Sequence, residues 1–205
     1  MRSIVAELLS GRDLYQEVVL ARLAHARESI WISTANVKEM YVEQANGAYE
    51  SILELLARLA TRGVALRILH AELPSRPFRA AFDQKRDLVR GGLELKICPR
   101  VHFKAVIIDG AWLYLGSANF TGAGLGAKAE ERRNFELGFV SEDFDLIDRV
   151  TALYESIWSG AECGPCKLRD VCPDPLGPAD DPRGGSSSLV RLGQSRSLRR
   201  RGRGA

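Results

Sequence analysis

No apolar stretch in the chain reaches the roughly 18 uninterrupted residues that a membrane-crossing helix needs. The segment Met1 to Ser10 carries both Arg2 and Glu7 in a short helix-like pattern, unlike the charged-then-apolar layout of a secretory leader. Both absences point to a cytosolic protein. Cysteine is scarce, at 4 of 205 residues, which excludes a miniature fold stapled by disulfides. Neither a Gly-X-Y period nor a depleted apolar content is present, so collagen and full-length disorder are excluded. What the chain does have is 45% apolar and 27% charged residues, the composition of one globular domain. At this length folding removes about 70% of the unfolded surface from water, so a structural metal or disulfide would be an addition to the core rather than its substitute.

The formal charge of +3 is unevenly placed. From Pro182 onward there are seven arginines and no acid, so residues 1–181 carry −4, the total of +3 less the tail's +7. Gly184, Gly185 and the Ser186 to Ser188 run leave that tail too little apolar surface to offset the entropy of ordering. Residues 177–205 therefore read as a disordered basic tail. Two readings of it stand side by side: a hold on a polyanion, and a solvated terminus in a chain with 23 arginines against 6 lysines.

Helix and strand patterns alternate along the rest. Asp13 to Arg27 has a helical face of Leu14, Val18, Leu20 and Leu23, and Ser29 to Ala35 reads as a strand. A second helix runs from Tyr49 to Ala60 and stops at Gly63, followed by a buried strand Val64 to His70. Pro74 and Pro77 precede a shorter helix around Arg79 to Val89, and Gly91-Gly92 separates it from the strand Leu93 to Cys98. Val101 to Ile108 and Trp112 to Leu115 are consecutive strands across the tight-turn pair Asp109-Gly110. Asn134 to Val140 is another strand and Phe144 to Trp158 a closing helix. This order predicts an α/β fold, a mixed β-sheet flanked by helices on both faces.

The segment from Val101 to Asn119 concentrates the chemistry. Residues two apart on a strand point the same way, so His102 and Lys104 share a face with Val106 and Ile108. Ser117 and Asn119 repeat that spacing after Gly116, and Asn134 and Glu136 repeat it again at the next strand. An imidazole, an ammonium, a carboxamide and a hydroxyl converging on one pocket suit an anion with several oxygens, since donors bind it and one group can attack it.

His102, Lys104, Asp109, Gly116, Ser117 and Asn119 fit H-x-K-x4-D-x6-G-S-x-N without a gap, a pattern that resembles the phospholipase D superfamily. The resemblance implies that His102 attacks a phosphodiester phosphorus to form a phosphohistidine, splitting one displacement into two. Lys104 and Asn119 would bind the nonbridging oxygens, with Ser117 and Asn134 supporting the pocket, so no cofactor is needed at the reaction centre. Glu136 stands where the family carries a carboxylate that orients the histidine, here by accepting from Nδ1. Asp109, by the strand period, stands behind the phosphate contacts rather than among them.

The family gives the leaving oxygen its proton from a second motif histidine. Neither His25 nor His70 starts another H-x-K, being followed two residues on by Arg27 and Glu72. The lone motif thus implies a homodimer whose two copies of His102 meet across a two-fold axis. Small single-motif members are nucleases, and a phosphate slot with an arginine-rich arm suits DNA or RNA. A phospholipase or phosphatidyl transferase is the alternative, as is a catalytically quiet nucleic-acid-binding subunit of a defence system.

Cys163, Cys166 and Cys172 form a C-x2-C-x5-C run after the last helix. Three close thiols in a cytosolic chain read as metal ligands in a cysteine-rich knot. The spacing is similar to the cysteine triplet of certain iron-sulfur nucleases, which carry one more cysteine far upstream. That likeness implies Cys98 as a fourth ligand, to either a [4Fe-4S] cluster or a tetrahedral zinc. Cys98 read by itself, before Pro99 on a strand, equally suits a buried thiol. The chain thus divides into a catalytic domain (1–160), a cysteine-rich segment (161–176) and a tail (177–205). Gly122, Gly124 and Gly126, followed by Lys128, Arg132 and Arg133, mark a flexible connection beside the pocket.

Overall fold

The structure is a computed structural model that describes residues 3–175. The expected tail from 177 lies outside the described residues. Nine strands form two sheets. The larger contains β1 (Glu7–Ser10), β2 (Ser29–Thr34), β5 (Ala65–His70), β6 (Glu94–Ile97), β7 (Lys104–Ile108), β8 (Trp112–Gly116) and β9 (Leu137–Ser141), in the order β1-β9-β8-β7-β2-β5-β6. β2, β5 and β6 run parallel and the remaining pairs antiparallel, the mixed sheet that alternating and then consecutive strands predict. A two-stranded ribbon, β3 (Tyr41–Glu43) and β4 (Tyr49–Ser51), stands apart from it.

Strand alternation divides the core into two layers. Ile30, Ile32, Ile68, Val106, Ile108, Tyr114 and Val140 face one side, where α1 (Arg12–Leu14) with its continuation, α2 (Ile52–Thr61) and α3 (Arg76–Asp83) cover them. Ala105, Ile107 and Leu113 face the other side and pack on Ile147 of α4 (Phe144–Trp158), while Leu69 and Val101 pack on Tyr154 and Trp158. Helices therefore lie on both faces, and Trp31, Trp112 and Trp158 belong to the core packing.

The helices begin where their capping residues predict. Ser51 Oγ accepts from the Leu53 N–H at 3.1 Å, and Asp143 Oδ1 from the Leu146 N–H at 3.0 Å. Beyond α1 the chain winds more widely, as a π-helix over Tyr15–Arg22, and closes in a 3-10 turn over Leu23–His25. The wider winding moves the buried positions to Leu14, Tyr15, Val18, Val19 and Leu23 and leaves Leu20 only half-buried, so the expected α-helical stripe is shifted.

Several elements differ from the sequence expectation: the helix-like 1–10 segment ends in strand β1, and the helix expected around Arg79 to Val89 is α3, with Pro77 in its first turn, followed by a separate turn over Leu88–Gly92. Tyr49 belongs to β4, because Met40 O takes the Ile52 N–H and the helix starts only after Ser51. β7 starts at Lys104 and β9 at Leu137, so residues 101–103 and 134–136 approach the sheet as loops. At the far end of β7, Asp109 (φ 54°) and Gly110 (φ 62°) are both left-handed, as a tight two-residue hairpin turn requires.

Candidate active site

The site lies at the end of the large sheet where β2 finishes and β7 begins. Ser33 faces the α4 side of the sheet and donates from Oγ to Phe103 O at 3.0 Å, holding the loop that presents His102. His102 is exposed, whereas Lys104, the first residue of β7, is 7% exposed and points with Val106 and Ile108 toward the larger core layer. Its Nζ donates to His102 O at 2.5 Å and stands 3.3 Å from His102 Nδ1. Burial pushes the Lys104 pKa down, opposed by the Glu136 carboxylate.

Asn119 is fixed by one end of its side chain. Its Oδ1 accepts from Ala35 N at 3.0 Å and Asn36 N at 3.4 Å, with Thr34 Oγ1 at 3.2 Å. These backbone donors identify the oxygen, so the Nδ2 end is left as a donor for substrate. Thr34 Oγ1 also accepts the Phe120 N–H at 3.0 Å. The end of β2 and the two residues after it, Thr34 to Asn36, are thus the mount for Asn119.

A second support comes from β8. Tyr114 is fully buried, and its hydroxyl accepts the Ala118 N–H at 3.2 Å in the middle of the Ser117–Asn119 turn. Burial pushes the phenol up to about 12, so it stays a neutral hydroxyl. Its ring lies against Gly138, where a Cβ would come within 2.3 Å of Tyr114 Cε2. Only glycine permits that approach, and Gly124 similarly lets the next loop lie against the Asn119 backbone. The 121–126 stretch is packed rather than loose, with Thr121, Gly122, Gly124, Leu125 and Gly126 buried.

Two sequence expectations are corrected within a single chain. Glu136 does not take up the His102 ring. Its carboxylate accepts from the Ser117 hydroxyl and, at 3.0 Å, from Asn134 Nδ2, while Lys104 occupies the Nδ1 side of the imidazole. The reason is the loop before β7: the imidazole turns over Lys104, and Ser117 offers Glu136 a nearer donor. Ser117 also accepts the Leu137 N–H at 3.1 Å and so extends the β8–β9 ladder.

Asp109 is not part of the pocket. From Lys104 to Asp109 the strand advances roughly 16 Å at about 3.3 Å per residue, placing the carboxylate at the opposite end of β7. There Oδ1 accepts from Glu28 N at 2.8 Å and Ser29 N at 2.9 Å, and Oδ2 from Arg27 N at 3.0 Å, which anchors the start of β2. Of the two other histidines, His25 is exposed beside that same far end, and His70 is buried with Nδ1 2.8 Å from Glu72 O. Cys98, Cys163, Cys166 and Cys172, distant in sequence, line one cavity on the α4 side.

Taken together, an exposed imidazole, a buried ammonium and an oriented amide lie at one end of the large sheet, the types of group that can bind a tetrahedral oxyanion and attack its centre. The profile of the family described as cardiolipin synthase, PLD-like domain matches residues 19–158. The fold is similar to NucT from Helicobacter pylori, at 16% identity over 76% of this chain and 96% of that one, with a TM-score of 0.53. It is also similar to Nuc, a phospholipase D family member from Salmonella typhimurium, at 21% identity, 75% and 95% coverage and a TM-score of 0.51. Phosphatidylserine synthase from Haemophilus influenzae Rd KW20 aligns at 14% identity, 76% and 38% coverage and a TM-score of 0.50. No curated protein sequence matches the chain. Among the described residues no helix is long and apolar enough to cross a membrane.

Proposed function

The chain belongs to the phospholipase D superfamily, whose members act on phosphodiesters, and from that membership we propose that it is an endonuclease of DNA or RNA whose complete site needs two copies of the chain. The observation that carries this reading is the half-site itself: His102 stands exposed beside Lys104, Asn119 is mounted at the same end of the sheet, and no second H-x-K motif occurs in the chain.

The steps follow from the donors present. A phosphodiester enters with its nonbridging oxygens against Lys104 Nζ and Asn119 Nδ2, which offset the charge that builds as the phosphorus becomes five-coordinate. His102 attacks through Nε2, forming a P–N bond as the P–O bond to the leaving nucleoside breaks. For that attack the Lys104 ammonium must turn from Nδ1 toward the phosphate, freeing Nδ1 to carry the ring proton. The leaving oxygen takes a proton from the partner's His102, which then acts as base on a water that cleaves the P–N bond. The ammonium and amide supply the charge neutralisation, so turnover should need no added divalent ion.

An apolar rim next to the half-site supports pairing with a second copy. Phe135 and Leu137, flanking Glu136, are both exposed, and Leu8 of β1 is exposed on the neighbouring strand. The same rim favours a second reading, phosphatidyl transfer, in which it admits acyl chains. Labelled oligonucleotides and labelled phospholipid vesicles, offered in parallel without added metal, separate the two.

Subunit mixing tests the shared site. When His102→Ala and wild-type chains are co-refolded in equal amounts, a site needing both histidines keeps about a quarter of the activity and an independent site about half. Proportional activity would overturn the two-copy mechanism.

A further inference from the structure

We propose that Cys98, Cys163, Cys166 and Cys172 hold a metal centre through four thiolates, tying the 160–175 segment to the turn that leads into His102. The observation is that all four thiols line one cavity, although Cys98 lies 65 or more positions from the others.

The C-terminal segment is wound so that its cysteines align. Cys163 N donates to Gly160 O (2.9 Å), Cys166 N to Cys163 O (3.3 Å), Arg169 N to Cys166 O (3.1 Å) and Cys172 N to Arg169 O (3.2 Å). Each turn closes over three residues, and a period of three places side chains three and six apart on one side. Cys163, Cys166 and Cys172 are spaced by three and six, so these successive turns bring all three to the wall of the cavity that Cys98 also lines.

The surroundings suit a thiolate centre. Leu69, Ile97 and Ile157 supply an apolar wall, and Arg100, Arg169 and Lys96 supply positive charge that outweighs Glu162 and Asp174 by one unit. Four thiolates around a divalent ion leave a net charge of about −2, which that excess offsets in part, and soft sulfur donors select zinc or an iron-sulfur cluster. Among the described residues no group of three His, Cys, Asp or Glu side chains is placed to hold a metal ion. The proposal thus requires the 160–175 segment to close on Cys98 when metal binds, beside the contact in which Asp174 accepts the Ile97 N–H at 3.4 Å. Cys98 N donates to His70 O at 2.8 Å and Cys98 O accepts the Val101 N–H at 2.9 Å, so a ligated Cys98 pins the turn immediately before His102.

The test uses the full chain and needs no phosphodiester assay. Protein purified anaerobically is analysed for zinc, iron and acid-labile sulfide, then stripped and titrated with Zn²⁺ or Co²⁺. One zinc per chain, with tetrahedral thiolate bands on Co²⁺ addition, identifies a single ion; iron with sulfide identifies a cluster. Either result supports the centre. Cys98→Ser should weaken metal binding at least about 100-fold, more than the usual ~10–100-fold cost of an outer-sphere change.

On the wild type, metal should protect the four thiols from a thiol reagent and lower reagent access should be lost on chelation, a readout that stands even where Cys98→Ser misfolds. Absence of bound metal, unchanged affinity in folded Cys98→Ser, or recovery of the cysteines as disulfides would overturn the proposal.

Discussion

Asn119 separates binding from architecture within one side chain. Its oxygen serves the backbone at Ala35 and Asn36, and its amino group is the end that the proposed mechanism sets against the phosphate. Asn119→Asp keeps the acceptor but loses the donor and adds a negative charge where phosphate binds. The variant should melt close to wild type while turnover falls roughly 100- to 1,000-fold, the scale of losing one oxyanion donor. Asn119→Ala should in addition lose about 1–3 kcal/mol of stability in denaturant titration, because partly buried N–H groups are left unpaired. Equal losses of stability in both variants would show the amide to be structural alone.

His70 makes a pH prediction of its own. Burial depresses its pKa, against the opposing effects of the Glu72 carbonyl and Asp174. The unfolded state therefore binds the proton first as pH falls, and stability from this group is complete above about 6.5, the unfolded value, and declines below it. Melting temperature should fall from pH 6.5 downward, and His70→Asn should flatten that slope.

At the scale of elements, β7 is a strand whose two ends do different work. Its first residue, Lys104, belongs to the site; the turn after it, Asp109-Gly110, is a clamp on the start of β2. Asp109→Ala should cost about 1–2 kcal/mol, through lost charge-assisted hydrogen bonds and a left-handed backbone that alanine tolerates poorly. Turnover of the folded fraction should stay within about twofold of wild type. Loss of turnover in a fully folded variant would return Asp109 to the reaction.

The role of Asp109 was hidden in the sequence because the motif is linear, whereas a strand carries residues five apart to opposite ends of a sheet. The role of Glu136 was hidden for a related reason. Spacing placed it near His102, but the competing donor on Ser117 is set by β8–β9 register. Tyr114, Thr34 and Gly138 were missed as site supports because each acts through backbone groups of distant residues. Their signals in sequence, a strand tyrosine, a strand-end threonine and a strand glycine, are ordinary ones. By contrast α4 was readable to its ends, since its capping Asp143 and apolar period are local features.

At the scale of the whole molecule, the proposed two-copy site would make oligomeric state a functional variable. Replacing Phe135 and Leu137 together by serine removes exposed apolar surface without touching Lys104 or Asn119. Sedimentation should show a weaker dimer, and activity per chain should fall on dilution and return at high concentration. A wild-type chain that is monomeric and fully active at assay concentration would contradict the shared site.

The amino-acid sequence by itself determined the family pattern, the alternation of helix and strand, and the residue types that meet a phosphate, since periodicity and motif spacing are local properties of the chain. Only the tertiary structure decided which motif residues lie at one end of the sheet, that Asp109 serves a turn, that Glu136 holds Ser117, and that Cys98 lines one cavity with the three later cysteines. Those outcomes depend on strand register and on which of several competing donors lies nearest, and neither quantity exists until the chain is folded.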